Sequence, residues 1–278
     1  MGWKRFVSGL VTFIIAPGML WASTPFSIWF LDVGEGDATY FESAKGYNGL
    51  IDTGNVITGN RVIRFLKQRG INSLDILIVT HPHPDHMGGV FQILHNIEVK
   101  QRFDNGQPLP VKKDSDIYRW YDEFFRSENY RVLKRGDKLS LGEIILQILS
   151  PQYLQSDWNS NSIVILLGHK NSRILLMGDG TRSAELFLLE NEKNLKAQIL
   201  KIGHHGAWDT SDPKFLKAVG PKDAIISVNH DNKRGYPSPV TLNTLQKMGI
   251  DVWRTDKAGT IQFEEKKGIL QTTSAVQN

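Results

Sequence analysis

Short apolar segments that each run into a loop rich in glycine, aspartate or histidine constrain the fold of this 278-residue chain more than any other feature. Apolar runs of this length suit β-strands, and several intervening segments carry apolar residues at helical spacing. Strands are predicted at 27–32, 38–41, 49–51, 74–79, 163–167, 173–177, 198–202, 223–228 and 251–255, and helices at 60–69, 116–129, 182–192, 213–219 and 239–248. The pair at 163–177 reads as a hairpin with a five-residue loop. This alternation predicts an α/β fold in which helices cover two sheets.

Residues 1–22 differ from the rest of the chain. Lys4-Arg5 precedes a short apolar stretch that Pro17-Gly18 interrupts. This layout is typical of a secretory signal peptide with an imperfect cleavage site. The alternative is an uncleaved N-terminal anchor, which would be the one segment able to contact a membrane. We therefore predict an exported protein, periplasmic or extracellular, whose residues 24–278 form one domain.

Composition excludes several kinds of protein. Because the chain has no cysteine, it has no disulfide framework, thiol nucleophile or cysteine-ligated zinc site. Its 33 basic residues exceed its 29 acidic residues by four, and loss of Lys4 and Arg5 with a leader would leave 31 against 29. An excess this small permits contact with a polyanion but does not argue for one. The sequence identifies no protein partner.

The loop at residues 80–89 carries the sharpest chemical signal. It places His81, His83, Asp85 and His86 within six residues, directly after an apolar strand. Two prolines alternate with the first two histidines and fix the backbone, so both imidazoles can point the same way. Such a loop can hold two cations, one on His81 and His83 and the other on Asp85 and His86.

Two later strand ends supply further candidate ligands. One apolar strand ends in Gly178-Asp179-Gly180, where Asp179 could bridge two cations, although it would also suit a helix N-cap. Another strand ends in a glycine-flanked pair, His204 and His205. Spacing leaves open which of these histidines is the ligand. We choose His204 because it lies nearer the strand.

Taken in order, the HxHxDH run at 81–86, Gly178-Asp179 and the GHHG run at 203–206 resemble the metallo-β-lactamase fold superfamily. The sequence is most similar to the soluble domain of ComEC-type DNA-internalisation proteins, through residues 30–38, 50–54, 159–162 and 254–261. The resemblance covers roughly residues 26–263. It implies a four-layer αββα sandwich with a metal site at the sheet edges, and hydrolysis of phosphodiesters such as DNA.

The sequence departs from the superfamily pattern at the first cation. Most superfamily hydrolases have a further histidine before the bridging aspartate, but residues 157–162 occupy that place here, as in ComEC-type domains. The resemblance then leaves His81, His83 and Asp179 on the first cation, with an asparagine, serine or water oxygen to complete it. An oxygen ligand in place of an imidazole makes manganese or magnesium plausible beside zinc.

Two further departures lie at Glu35 and at residues 234–239. Glu35 replaces the family's usual glutamine and adds a negative charge that would repel a phosphate near the metals. Residues 234–239 lack a histidine that ComEC-type domains often carry there. The first departure weakens the DNA interpretation, and the second puts any role of that histidine in doubt.

The resemblance also implies roles around a binuclear centre. Two divalent ions, zinc or manganese, would lower the pKa of a shared water and stabilise charge on the attacked atom. Asp85 is predicted to orient that water, and His205 to donate a proton to the leaving oxygen. Residues behind the ligands or beside the substrate are predicted to be Asp37, Asp52, Asn159 and Ser162. For Asp37 and Asp52, turn formation beside glycine is an equally good interpretation.

A basic and aromatic segment spans residues 112–135. It could form a wall that stacks on single-stranded nucleic acid. The interpretation we favour is an amphipathic helix with a buried apolar stripe, whose members are Ile117, Trp120, Tyr121, Phe124 and Phe125.

These residues together predict an exported metal-dependent hydrolase, a phosphodiesterase or nuclease with DNA as its substrate. One alternative is hydrolysis of another extracellular ester, such as a cell-wall phosphodiester or a lactone. The other is a non-catalytic, metal-stabilised binding module in DNA uptake.

Overall fold

The computed structural model describes residues 25–110 and 116–276. The predicted leader, residues 1–22, lies outside the described residues, as does Lys112-Lys113 of the basic segment. Within the described ranges, no helix combines the length and the apolarity that crossing a membrane requires.

The strands and helices follow one another along the described chain with short connections. The strands are β1 Ser27–Phe30, β2 Thr39–Glu42, β3 Asn48–Ile51, β4 Ser73–Leu74, β5 Ile76–Ile78, β6 Glu98–Val99, β7 Arg102–Asp104, β8 Tyr130–Val132, β9 Lys138–Leu141, β10 Ile144–Ser150, β11 Val164–His169, β12 Ser172–Leu176, β13 Ile199–Lys201, β14 Asp223–Ile226, β15 Asp251–Arg254, β16 Thr260–Lys266 and β17 Ile269–Val276. The helices are α1 Gly59–Gln68, α2 Pro84–Met87, α3 Val90–Asn96, α4 Asp116–Trp120, α5 Arg182–Asn191, α6 Pro213–Val219, α7 Pro239–Lys247 and α8 Thr255–Ala258. Each predicted strand and helix overlaps an observed one.

The hairpin of β11 and β12 differs from its prediction. His169 pairs with Ser172, so the loop has two residues rather than five. Both side chains hydrogen-bond to Glu265 of β16, in the other sheet. This contact with the other sheet accompanies strand pairing that continues beyond the apolar residues of β11 and β12. Because Glu265 is distant in sequence, the local sequence does not show it.

Two large sheets organise the fold. The first has the order β17-β16-β1-β2-β3-β5-β7-β8, and the second has the order β15-β14-β13-β12-β11-β10-β9. Strands β3, β5, β7 and β8 are parallel to one another, as are β12, β13, β14 and β15. The carboxyl ends of neighbouring parallel strands meet at one edge of a sheet, which is where open α/β sheets place their sites. Asp52 follows β3, the 80–89 loop follows β5, and the glycine-flanked loops of Asp179 and His205 follow β12 and β13.

Three apolar clusters divide the molecule into four layers. One lies between the sheets and includes Ile28 and Phe30 of β1 together with Ile165 of β11. The alternate residue Trp29 faces a second cluster, in which the first sheet packs against α1 and α3. The third cluster joins the second sheet to α5, α6 and α7. Each fully buried Ile or Phe side chain contributes about 1.5–3 kcal/mol, so the inter-sheet cluster holds the two site-bearing edges together.

The segment after α4 corrects part of the predicted buried stripe. Tyr121 and Phe125 are fully buried, but Trp120 and Phe124 are 48% and 56% exposed. The helix changes from α-helical to π-helical geometry at Tyr121. The Tyr121 ring then stacks on Phe125, and its hydroxyl donates to the buried Asp104 carboxylate over 3.0 Å. A regular helical period does not anticipate this local change of pitch.

The loop after β1 packs directly against the 80–89 loop. The Asp37 N–H donates to the Asp85 carbonyl over 3.2 Å, and the Gly54 N–H donates to the Asp37 carbonyl over 2.8 Å. A Cβ on Gly36 would lie only 1.9 Å from the Asp85 carbonyl oxygen. Glycine at this position therefore lets the two loops touch.

We expect Gly36→Ala to destabilise the protein by about 1–3 kcal/mol more than Gly46→Ala, because the added methyl must displace the Asp85 backbone. Both glycines have positive φ, so both variants carry backbone strain, but a Cβ on Gly46 would meet no atom within 4 Å. Urea unfolding of the two variants measures the difference. Equal losses of unfolding free energy would show that the Asp85 backbone accommodates a methyl group at residue 36 without extra cost.

Candidate metal centre

His81 and His83 converge at the end of β5. The Nδ1 atom of His81 lies 3.2 Å from the Thr80 hydroxyl and 3.3 Å from the Ser162 hydroxyl, and its ring is fully buried. Its Nε2 atom therefore faces the other way, 2.9 Å from His83 Nδ1 and 3.7 Å from Asp179 Oδ2. His81 Nε2 thus has an imidazole nitrogen and a carboxylate oxygen within 3.7 Å.

A second group forms on the other side of Asp179. Asp179 Oδ1 lies 3.2 Å from His86 Nε2 and 3.6 Å from His205 Nε2. Asp85 Oδ2 lies 3.6 Å from the same His205 nitrogen. The carboxylate of Asp179 is therefore shared, with one oxygen directed at each group.

The backbone around Asp179 is built for this position. Gly178 adopts φ +54, and a Cβ there would approach the side chains of Ser162 and Thr80 at 3.0–3.1 Å. The Asp179 N–H donates to the Ser162 hydroxyl over 3.0 Å. Ser162 therefore orients both the Asp179 carboxylate and the His81 ring. It lies behind the candidate ligands, one of the two positions that the sequence analysis proposed for it. Asp179 does not cap α5, whose first residue follows Thr181.

Asp52 holds His86 from behind. Its Oδ2 atom lies 2.9 Å from His86 Nδ1 and accepts a hydrogen bond from the Thr80 hydroxyl over 2.8 Å. Its Oδ1 atom accepts from the Thr80 N–H over 2.7 Å. A carboxylate on one ring nitrogen fixes the tautomer and leaves the other nitrogen free for a cation. The geometry matches the role predicted for Asp52 and gives it more than a turn-forming function.

Asp37 has a partner that the sequence analysis did not name. Its Oδ2 atom lies 2.8 Å from the ammonium of Lys201, a side chain that is only 2% exposed. Its other oxygen is 3.7 Å from His205 Nδ1, which hydrogen-bonds instead to the Ser227 carbonyl over 3.0 Å. Asp37 therefore lies behind His205 without a direct hydrogen bond to it.

The structure brings His205, and not His204, into the ligand group. His205 is buried and faces Asp85 and Asp179, as described above. His204 Nε2 instead lies 3.2 Å from Asn159 Nδ2 and 3.5 Å from the Tyr236 hydroxyl, and its Nδ1 lies 3.7 Å from Asp209. Both histidines have positive φ, 44° and 53°, so the chain turns sharply and points the adjacent rings apart. This geometry favours His205 as the ligand and places His204 and Asn159 beside the centre.

The carboxylates of the second group attract positive charge. Burial lowers the pKa of the His86 imidazole, but Asp179 and Asp52 outweigh burial and hold that pKa well above its usual value. Burial likewise lowers the pKa of His205, and Asp179 again produces a net rise. Burial raises the pKa of Asp179, yet His86 and His205 hold it well below its usual range.

The first group has a different electrostatic character. Burial holds the pKa of His81 well below its usual value and lowers that of His83. Both rings are therefore neutral at neutral pH, which is the form that coordinates a cation. Burial raises the pKa of Asp85, but its close approach to His205 and the charge of His86 produce a net fall, so this carboxylate is ionised.

Sets of three residues drawn from the two groups could each hold a divalent cation, although His83 belongs to neither set. Ligand atoms of His81, His86 and Asp179 lie within 4.8 Å of one another, and so do those of Asp85, His86 and His205. Buried atoms without a hydrogen-bond partner include His86 Nε2, Asp179 Oδ1 and His205 Nε2. Such atoms cost free energy unless something binds them, and imidazole with carboxylate is a donor set for zinc or manganese.

The sequence analysis did not predict four residues that lie near the centre. Lys201 could have been noticed as a charged residue inside an apolar strand. Trp158 stacks on the His83 ring and Tyr118 packs on Trp158, but no sequence signal links these aromatics to the loop. Arg234 lies 3.1 Å from Glu35 and 3.7 Å from Asp85. The negative charge expected at Glu35 is therefore paired with a guanidinium.

Comparison with known proteins agrees with this geometry. The profile of the metallo-beta-lactamase superfamily matches residues 31–230. The chain belongs to this superfamily. It is 31% identical over 260 residues to ComE operon protein 3 of Bacillus subtilis (strain 168), covering 86% of this chain and 33% of that protein. It is 28% identical over 245 residues to competence protein ComA of Neisseria gonorrhoeae, covering 87% of this chain and 32% of that protein. The chain thus spans about a third of the length of these curated relatives.

Solved structures of the superfamily share the fold. The metallo-beta-lactamase fold protein YhfI from Bacillus subtilis superposes with a TM-score of 0.55 at 11% identity, covering 89% of this chain and all of that one. A diphosphatase of the PhnP family gives a TM-score of 0.50 at 12% identity, covering 86% of this chain and 98% of that one. The predicted resemblance to ComEC-type proteins and the predicted metallo-β-lactamase sandwich are confirmed.

We expect His205→Ala to weaken cation binding by more than about 100-fold, beyond the effect typical of a residue that only supports a ligand. His204→Ala should weaken it by less than about tenfold, because His204 faces Asn159 and Tyr236. Calorimetric titration with Zn²⁺ and Mn²⁺ measures both. His95→Ala, at an exposed histidine of α3, is the control, and the reverse order of the two losses would restore His204 as the ligand.

We expect Lys201→Met to destabilise the protein by about 3–5 kcal/mol, because it leaves the Asp37 carboxylate buried and unpaired. The double variant with Asp37→Asn should recover part of this loss, since both charges are then gone. Urea unfolding in the presence of a chelator measures the free energies. Lys193→Met, at an exposed lysine, controls for loss of a surface charge, and a loss no larger at Lys201 would contradict the buried pair.

Proposed function

We propose that this metallo-β-lactamase-fold protein, a metal-dependent hydrolase by family, is an exported phosphodiesterase that cleaves DNA. The observation that carries the proposal is the shared position of Asp179 between two ligand groups drawn from separate loops. Two cations held by one carboxylate are the arrangement that many phosphodiester-cleaving enzymes use. One curated relative is named a competence protein, and the similarity to ComEC-type DNA-internalisation proteins favours DNA among phosphodiesters.

Some residues around the centre would bind the cations, and others orient those ligands. His81, His83 and Asp179 would hold one cation, and Asp85, His86, His205 and the second oxygen of Asp179 would hold the other. Bound cations supply Lewis acidity and an activated water. Asp52 orients His86, and Ser162 orients His81 and Asp179.

The rim beside His205 offers hydrogen-bond donors to a substrate. Tyr236 stacks on the His205 ring with centroids 6.3 Å apart, and its hydroxyl lies beside His204. The Asn159 side-chain amide nitrogen lies 3.2 Å from His204 Nε2. The Tyr236 hydroxyl and the Asn159 amide N–H are donors that suit the oxygens of a phosphodiester. The proton donor predicted at His205 then moves to this rim, because His205 is occupied as a ligand.

The guanidinium of Arg234 supports a phosphate over an uncharged ester. It is 54% exposed and lies beside Asp85 at the edge of the centre. Arginine donors in a fork match phosphate oxygens. A lactone carries no negative charge in its ground state, so this cation would bind it less strongly than a phosphodiester. Export is proposed on the pattern of residues 1–22 alone.

We expect purified protein to cleave DNA with Mn²⁺, Mg²⁺ or Zn²⁺, and a chelator to abolish cleavage. His83→Ala should lower the rate by more than about 100-fold, because several kcal/mol of transition-state stabilisation depend on the cations. Gel and fluorescence assays of labelled DNA measure the rates.

His95→Ala, which removes an exposed histidine outside the centre, should cleave at the wild-type rate. Equal cleavage by His83→Ala would show that the activity does not arise at this site. Hydrolysis of a lactone or of a cell-wall phosphodiester, with no cleavage of DNA, would replace the proposed substrate and retain the hydrolase.

A further inference from the structure

An indole ring lies against the metal loop. Trp158 stacks on the His83 imidazole with ring centroids 5.4 Å apart and 28° between their planes. Trp158 is half-buried, so part of the ring remains open to solvent beside the ligand. A π surface is thus placed next to the atom group that would bind the first cation.

Tyr118 extends this surface from a different element. Its ring meets Trp158 edge to face, with centroids 5.8 Å apart and planes at 87°, and it too is half-buried. Burial raises the pKa of Tyr118, and the charge of Asp85 adds to the rise, so the ring stays neutral beside the centre. We call Tyr118 and Trp158 the aromatic wall.

Both residues of the aromatic wall stand on well-anchored backbone. The turn after Trp158 holds Asn161, which is fully buried and whose carbonyl accepts from Asn105 over 2.8 Å. Tyr118 lies on α4, which continues into the buried pair of Tyr121 and Phe125. A rigid aromatic surface binds a planar ligand at a low cost in entropy.

The opposite end of the same loop carries a cation. Arg234 lies 3.7 Å from Asp85 Oδ2, whereas Trp158 contacts His83, two residues earlier in the loop. The loop thus contacts a π surface at His83 and a guanidinium at Asp85. A substrate that satisfies both has a planar aromatic group joined to a chain of phosphates, which is the chemistry of a polynucleotide.

We propose that the aromatic wall stacks on a nucleobase next to the scissile phosphate and makes the site selective for single-stranded DNA. This inference rests on the proposed function. Bases in a duplex are already stacked and paired, whereas those of a single strand can turn outwards onto an aromatic side chain. Stacking on the wall therefore places the adjacent phosphate over the cation ligands.

The test compares labelled single strands of one sequence, either intact or with abasic residues around the cleavage position, together with the matching duplex. Wild-type protein should cleave the intact strand about 5- to 150-fold faster than the abasic strand, the range expected for one stacked base. It should also prefer the intact strand to the duplex. This comparison needs no variant, so it holds even if a substitution unfolds the chain.

Trp158→Ala should bring the ratio of intact-strand cleavage to abasic-strand cleavage close to one, whatever its absolute rates, because Trp158 also packs on the ligand His83. Trp158→Phe should restore most of the difference. Trp120→Ala is the matched control, because Trp120 lies on the same helix as Tyr118 but packs on Phe91. Fluorescence anisotropy with a chelator present should show the same order for binding, independently of catalysis.

The outcomes separate this inference from the proposed function. The stacking inference is wrong if the wild-type protein cleaves intact and abasic strands equally, or if Trp158→Ala keeps the preference for the intact strand. Either result leaves the proposed nuclease function standing. A preference for the duplex overturns the stacking inference as well. Failure to cleave any DNA with any of the three metal ions overturns the proposed function itself, and the inference falls with it.

Discussion

The carboxylate of Asp179 is the interaction on which the rest of the site depends. One oxygen faces His81 and the other faces His86 and His205, so a single side chain joins candidate ligands from two other loops. Its position requires the left-handed backbone of Gly178 and the hydroxyl of Ser162. Asp179 follows a strand of the second sheet, whereas His81 and His86 follow a strand of the first. The carboxylate would lose these histidines if the sheets shifted, and the inter-sheet cluster opposes that shift.

Buried charge is the second constraint. Asp37, Asp52 and Asp179 are almost completely buried, and Asp85 is nearly so. An isolated buried carboxylate costs several kcal/mol, so each must meet a positive group or a set of hydrogen-bond donors. Lys201 serves Asp37, and Thr80 and His86 serve Asp52. Asp179 and Asp85 face imidazoles that suit cations, so metal binding and stability are coupled at this edge.

The surroundings of the centre decide which ester it can receive. Arg234 offsets Glu35 and adds a cation beside Asp85, while Trp158 and Tyr118 add π surface beside His83. These four residues come from four loops or helices outside the ligand motifs. Superfamily membership explains the hydrolase, and this outer ring of residues carries the argument for a polynucleotide.

The residue order along the chain was enough to predict the layered α/β fold, the family and the strand ends that bear ligands. Those inferences succeed because apolar runs define strands, and because parallel strands deliver their loops to a common edge. Only the tertiary structure could decide between His204 and His205. Adjacent residues in a left-handed turn point in different directions, and their orientation depends on what packs around them. The roles of Trp158 and Arg234 could not be predicted for the same reason, since each side chain acts through a partner that is distant in sequence. Lys201 stood out as a charged residue in an apolar strand, but only the structure shows that its partner is Asp37.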